Sequence, residues 1–238
     1  MIIASNFKSN LTRAKTATYM KELSSFITTQ NISQNIFVFP PSSALDSFET
    51  TVNVGVQNAY PTENGAFTGE MALDQIEEFG IKTILIGHSE RRHVLGESQE
   101  LISQKFNFYK KHGFKIIYCI GEPLEIRESG NEALMDYLSE QFVGIDYTYD
   151  EMIIAYEPVW AIGTGLTPEN GEIEMIQKVL KDKYNQEVLY GGSVKVGNAE
   201  EILSLPSVDG ILVGSGALNV EDFKSMINTA EKIENNNK

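Results

Sequence analysis

Short runs of β-branched and aromatic residues recur along the chain, and between them lie longer stretches with the three-then-four spacing of a helix face. Eight runs read as strands: "IIAS" from Ile2, "IFVF" from Ile36, "VGVQ" from Val54, "TILIG" from Thr83, "KIIYCI" from Lys115, "MIIAY" from Met152, "EVLY" from Glu187 and "GILVG" from Gly210. Among the helical stretches, Met20, Leu23 and Ile27 share one face, as do Ile102, Phe106 and Tyr109, then Ile173, Ile176 and Leu180, and finally Val220, Phe223, Ile227 and Ala230. These stripes read as core faces. Several strands are apolar at consecutive positions, which suits a parallel sheet covered on both sides. A β-then-α order repeated eight times leaves an open doubly wound sheet or a closed barrel. The 238 residues stand near the ~250 typical of an eightfold barrel, and polar motifs follow nearly every strand. The expected fold is therefore α/β, a closed (β/α)8 barrel forming a single domain over residues 1–238.

Charge and cysteine usage narrow the partners. Lys and Arg number 19 against 33 Asp and Glu, a formal charge of −14, which opposes attraction to nucleic acid or an anionic membrane. No stretch reaches the ~20 apolar residues of a membrane span, and the start "MIIASNFKSN" lacks a basic end followed by a long apolar run. A cytoplasmic protein with no nucleic-acid or membrane partner is expected. Cys119 is alone within "KIIYCIG", so an internal disulfide is excluded and a buried small thiol is expected. One Cys and three widely spaced His argue against a Cys/His zinc site, and no metal site is expected.

In a barrel of this kind the carboxyl ends of the strands and the loops after them form one face, where residues distant in sequence meet. Asn6 and Lys8 follow the first strand, "QNAYPTENGAFTGE" the third, and His88 in "GHSERR" the fourth. Glu157 ends the sixth strand in "YEPVWAIGTG"; Pro158 disfavours helical geometry in the residue before it, so the glutamate is held at an extended strand end. A positioned, partly shielded carboxylate can act as a general base, although a salt-bridged surface glutamate fits the same position. Ser89 is placed to cap a helical turn, whose positive end would keep a nearby His88 neutral; a structural histidine is the alternative, and His93 and His112 are left in that class. Lys8 fits either an anion-binding ammonium or a solvated surface lysine. The clusters "IGTG", "YGGSV" and "VGSG" let backbone amides approach an anion, and loops after strands seven and eight often hold phosphate in such barrels.

Taken together, "NFK", "AFTGE", "GHSERR", "YEPVWAIGTG" and "YGGSV", in this order over nearly the whole length, resemble the triosephosphate isomerase family. The resemblance implies a TIM barrel and the interconversion of dihydroxyacetone phosphate and D-glyceraldehyde 3-phosphate, without cofactor, by a homodimer. It implies Glu157 as the base that moves a proton between two carbons, His88 as the neutral electrophile, and Asn6 and Lys8 as groups that hold substrate and developing charge. It places the phosphate on amides of Gly163, Ser193, Gly214 and Ser215. Residues 158–166 become a lid, with Pro158 stiffening one hinge and Trp160 packing as its apolar part. Glu90 becomes an auxiliary carboxylate. Thr68 becomes a contact to the Asn6 and Lys8 neighbourhood of the other subunit, and Glu70 and Arg91 are further subunit-contact residues that pair structurally.

Four positions depart from the family pattern. Phe7 replaces a usual tryptophan, Ser9 a methionine and Leu166 a lid-end lysine, while Ser215 stands where glycine is usual, with more restricted backbone angles. The interval from Gly165 to "YGGSV" leaves room for about one helix. Two other readings are a barrel enzyme acting on a larger sugar phosphate and a catalytically silent scaffold.

Overall fold

The computed structural model describes residues 1–162 and 167–236. Strands and helices alternate along it: β1 (Ile2–Asn6), α1 (Arg13–Gln30), β2 (Asn35–Phe39), β3 (Asn53–Val54), α2 (Leu73–Glu77), β4 (Thr83–Ile86), α3 (Gln99–Lys111), β5 (Lys115–Ile120), α4 (Leu124–Glu128), α5 (Asn131–Glu140), β6 (Met152–Tyr156), α6 (Asn170–Tyr184), β7 (Glu187–Tyr190), α7 (Val196–Leu203), β8 (Gly210–Val213) and α8 (Val220–Asn236). All strand pairs are parallel, in the order β3-β2-β1-β8-β7-β6-β5-β4. The two ends of that order meet through Val56, whose N–H donates to Thr83 O at 2.9 Å while its carbonyl accepts from Leu85 N–H at 2.9 Å. The fold is a (β/α)8 TIM barrel. Among the described residues no helix is long and apolar enough to cross a membrane.

The third strand is shorter than the sequence pattern suggests. Two residues of β3 pair with β2, after which Gly55 and Val56 divide their bonds between β2 and β4. A Cβ on Gly55 would stand 2.2 Å from the Phe39 ring. Glycine there lets the strand swing from one neighbour to the other and close the barrel.

The sheet separates two apolar layers, as alternation along each strand requires. Ile2, Ala4, Phe37, Phe39, Leu85, Ile117, Cys119, Ile153, Ala155, Leu189 and Leu212 fill the barrel interior. Their neighbours, among them Ile3, Val38, Ile84, Tyr118, Ile154 and Val188, pack outward against the helices. All the core-face residues read from periodicity are buried except Val220, which packs at the core's edge. Burying each large aliphatic side chain contributes about 1.5–3 kcal/mol, so these stripes dominate the assembly. Between the lid segment and β7 there is one helix, α6, and it ends at Asn185 in the left-handed conformation.

Gly210 opens β8 between β1 and β7, and a Cβ there would stand 1.8 Å from Ile2 O. Both sides are backbone, so neither can rotate away. Gly210→Ala is expected to destabilise the fold by about 3 kcal/mol, read from urea unfolding followed by circular dichroism; a loss below about 1 kcal/mol would show that the strands separate without strain.

Candidate active site

Alternation places Asn6 and Glu157 on the inner side at the carboxyl ends of β1 and β6, above Ala4 and Ala155. The same rule would send His88 outward, since Ile84 and Ile86 face the helices. Gly87 breaks the alternation with φ +78°, a conformation that costs glycine nothing, and His88 swings over the mouth. There its Nε2 lies 3.1 Å from Glu157 Oε1. Both side chains are almost fully buried, Glu157 at 2% exposure.

Hydrogen bonds from loop backbone set the orientation of both groups. Ser89 N–H donates to Glu157 Oε2 at 3.0 Å, and Glu90 N–H donates to His88 Nδ1 at 3.2 Å. An Nδ1 that accepts carries no proton, which places the ring proton on Nε2. The Ser89 hydroxyl does not cap the π-helical turn Glu90–Val94, contrary to the sequence expectation. Ser89 itself has helical angles, and the groups its loop presents are amides, aimed at the carboxylate and the imidazole.

Lys8 adopts φ +52°, which costs a non-glycine residue about 1–2 kcal/mol. Three contacts hold it there. Its N–H donates to Asn6 Oδ1 at 2.9 Å, its carbonyl accepts from Gln57 Nε2 at 2.9 Å, and its ammonium donates to Glu90 Oε1 at 2.6 Å. Asn6, Lys8, His88 and Glu157 line one cavity of about 240 Å³ together with Ser193, Gly214 and Ser215. Ser193 Oγ donates to Ala161 O at 2.6 Å, tying the loop after β7 to the start of the lid segment. Ser215 opens a 3-10 turn, Ser215–Ala217, and is not among the positive-φ residues. The replacement of glycine therefore brings no backbone strain at that position.

Gly163 and Leu166, and with them part of the expected lid 158–166, lie outside the described residues. The near hinge is described. Trp160 is not purely apolar packing: its Nε1–H donates to Glu122 Oε1 at 3.0 Å, and Tyr156 OH donates to the same oxygen at 3.0 Å. Glu122 is fully buried, and burial pushes its carboxyl up from the ordinary glutamate range, against the hydrogen bonds from Trp160 and Tyr156. Its Oε2 finds no partner among the described residues.

Among the described residues of the single chain Glu70 and Arg91 form no ion pair. Arg91 Nε pairs with Glu97, which also accepts from Lys105 Nζ at 2.8 Å. The Glu97 and Lys105 side chains are buried, and burial lowers the Lys105 pKa against the pull of Glu97. Glu70 and Arg91 do line one cleft of about 520 Å³ with Lys8, Glu90 and Leu95. Thr68 sits beside it on an exposed loop braced by Phe67 against Tyr60, ring centroids 4.2 Å apart. His93 is exposed and His112 ends α3.

The triosephosphate isomerase family model matches residues 1–230. The chain belongs to the triosephosphate isomerase family. It is similar to the triosephosphate isomerase of Sulfurimonas denitrificans, 63% identical over 238 residues, covering 100% of this chain and 99% of that protein. That of a Sulfurovum species is 53% identical over 95% of this chain and 99% of its own length, and that of a Nitratiruptor species 50% identical over 98% and 100%.

Reading the sequence alone missed Glu122, which holds the Trp160 and Tyr156 side chains, and Gln57, Arg92 and Gln141, which hold the site's backbone. Glu122 had a usable signal: "IGEP" sets an acid just past an apolar strand, much as "YEP" does.

The Glu122 carboxyl makes stability depend on pH. Above its ordinary value of 4.5 the unfolded chain releases this proton first while the folded protein keeps it. Stability from this group is therefore full below about pH 4.5 and is lost as pH rises through the raised folded value. Glu122→Gln keeps an oxygen for Trp160 and Tyr156 and removes the titration. Relative to the unsubstituted protein it is expected to gain stability as pH rises from about 4.5 to the raised folded value and no further above it, read as the difference in urea midpoints. A difference that does not change with pH would contradict the burial effect.

Proposed function

We propose that this chain interconverts dihydroxyacetone phosphate and D-glyceraldehyde 3-phosphate by moving a proton between adjacent carbons through an enediolate. The observation that carries the reading is the 3.1 Å approach of His88 Nε2 to Glu157 Oε1 at the wall of a small cavity that Lys8 also lines. A carboxylate and a neutral N–H donor so close can act on neighbouring atoms of one ligand. Glu157 takes the proton from the carbon beside the carbonyl and returns it to the other carbon. His88 donates from Nε2 to the oxygen that gains charge, and passes that proton between the two oxygens. Asn6 and Lys8 hold the substrate and offset the enediolate charge, with Glu90 setting where the ammonium lies. General base catalysis supplies ~10² to 10⁴ in rate and an oxyanion donor on the order of 3 kcal/mol, so the two are needed together.

The amides of Ser193, Gly214 and Ser215 receive the phosphate, with Gly163 as a further donor when residues 158–166 close. Closure excludes water and strengthens each charge interaction. The cavity of about 240 Å³ has room for a three-carbon phosphate. A silent scaffold would have no use for four strained or buried polar residues converging on one cavity. Residues 1–238 act as one domain in this reading.

Glu157→Gln keeps the volume and removes the base. Turnover of dihydroxyacetone phosphate in a coupled assay is expected to fall at least ~10³-fold with the circular dichroism spectrum unchanged; near-normal turnover would rule out this role.

The working form in this reading is a homodimer. Phe67, Val94 and Leu95 are exposed apolar side chains on or near the cleft beside Lys8, and the braced loop carrying Thr68 is shaped to enter that cleft on a second copy. Size exclusion with multi-angle scattering is expected to give twice the 26.5 kDa of the chain. A fully active monomer would refute a contribution of Thr68 across subunits.

A further inference from the structure

Past the end of β5 the ladder to β6 continues on one side only. Glu157 N–H donates to Ile120 O at 2.7 Å and Val159 N–H to Glu122 O at 3.0 Å. In a parallel ladder successive residues direct their polar groups to alternate sides, so the N–H and C=O of Gly121 face away from β6, toward the place where β4 would continue. β4 ends at Ile86, where Gly87 turns the chain toward His88. Gln141, just past α5, fills the gap. Its Oε1 accepts from Gly121 N–H at 3.1 Å and its Nε2 donates to Gly121 O at 2.9 Å. One primary amide thus stands in for the peptide group of an absent strand.

The clamp bears directly on the proposed base. The register that pairs Ile120 with Tyr156 sets Gly121 opposite Glu157, and a Cβ on Gly121 would stand only 1.7 Å from Glu157 O. That contact leaves no slack between the two backbones. Gln141 is anchored in turn: its carbonyl accepts from Tyr118 OH and from Gln99 Nε2, the latter at 2.8 Å. Arg92 donates to Gln99 Oε1 at 2.7 Å, to Tyr118 OH at 2.9 Å and to Gly87 O at 2.7 Å, the carbonyl next to His88. A polar chain, partly buried at Arg92 and Gln99 and buried at Tyr118 and Gln141, therefore runs from the backbone before His88 to the backbone of Glu157.

We infer that Gln141 is a positioning residue that fixes Glu157 relative to His88 through Gly121. The inference rests on the reading of Glu157 as the base. It is tested with Q141M, which keeps the side-chain length and removes both hydrogen bonds, alone and combined with E157Q. Turnover of dihydroxyacetone phosphate by Q141M is expected to fall about 10- to 100-fold with KM within about twofold, because a small misplacement of a reacting group is costly while the phosphate loops across the cavity are untouched. In E157Q the same change is expected to cost less than about twofold, since the group through which Gln141 acts is already gone. A general structural lesion would lower both backgrounds alike. Q141N, whose amide is too short for both bonds, repeats the comparison should Q141M fail to melt cooperatively. Q141M or Q141N with kcat within twofold of the unsubstituted protein, or with equal losses in both backgrounds, overturns the positioning role while an inactive E157Q leaves the base standing. An active E157Q removes the base, and this inference with it.

Discussion

A parallel barrel satisfies its backbone through strand ladders, and those ladders stop at the mouth. Every N–H and C=O left there must find a partner or remain buried at a cost of about 1–3 kcal/mol. In this protein the partners that complete the mouth also arrange its chemistry. Gln57 closes over the carbonyls of Lys8 and Phe39, both at 2.9 Å, and so holds Lys8 in its left-handed conformation. The turn after β4 presents the Glu90 and Ser89 amides to the imidazole and the Glu157 carboxylate. Gln141 completes Gly121. Capping the barrel and positioning the proposed reactive groups are one structural task.

The electrostatics follow from the same economy. A chain of formal charge −14 has little long-range attraction for a phosphorylated ligand, so attraction must be local. In the proposed reading Lys8 supplies it within the cavity, and its pairing with the half-exposed Glu90 fixes the ammonium while leaving that carboxylate in contact with water. An imidazole whose Nδ1 accepts from a backbone amide adds a donor without adding a charge that would bind the Glu157 carboxylate too firmly. Among the described residues, Lys8 and Lys195, the Glu157 carboxylate and the His88 donor thus surround about 240 Å³.

The barrel was legible because its evidence is local and repeated. Eight apolar runs and four helical stripes reflect burial, which side-chain periodicity reports directly. Only the third strand departed, because Gly55 divides its bonds between two neighbours, a feature of closure that no local pattern carries. The residues gathered at the cavity were legible through the motifs that place them, Glu157 before its proline and His88 after its glycine. Their supports were not. Gln141 lies 20 residues from the glycine it clamps, and a glutamine at the end of an amphipathic helix looks like any surface residue until the fold brings it to an interrupted strand. The Arg91–Glu97 pair was hidden for a related reason: it requires knowing which carboxylate the fold buries beside that guanidinium.

Arg92 shows what such supports demand of the fold. Its guanidinium meets Gly87 O, Gln99 Oε1, Tyr118 OH and Cys119 O, and none of these hydrogen-bond partners is a carboxylate. It also lies 5.6 Å from the centre of the Tyr118 ring. Neutral acceptors compensate a desolvated cation less well than an ion pair would, so stability alone does not favour this arrangement. A carboxylate at this position would neutralise the charge, but it would take up the planar fork that now spans β4, β5 and α3. Four neutral acceptors on three elements fix the guanidinium in one plane, and that plane sets where the chain leaves β4 toward His88. Glu122, buried beneath Trp160 with one oxygen unpartnered among the described residues, is an acidic side chain in the same position. Both retain a polar group in an expensive place, and what each gains is a defined position for a loop that strand ladders no longer reach.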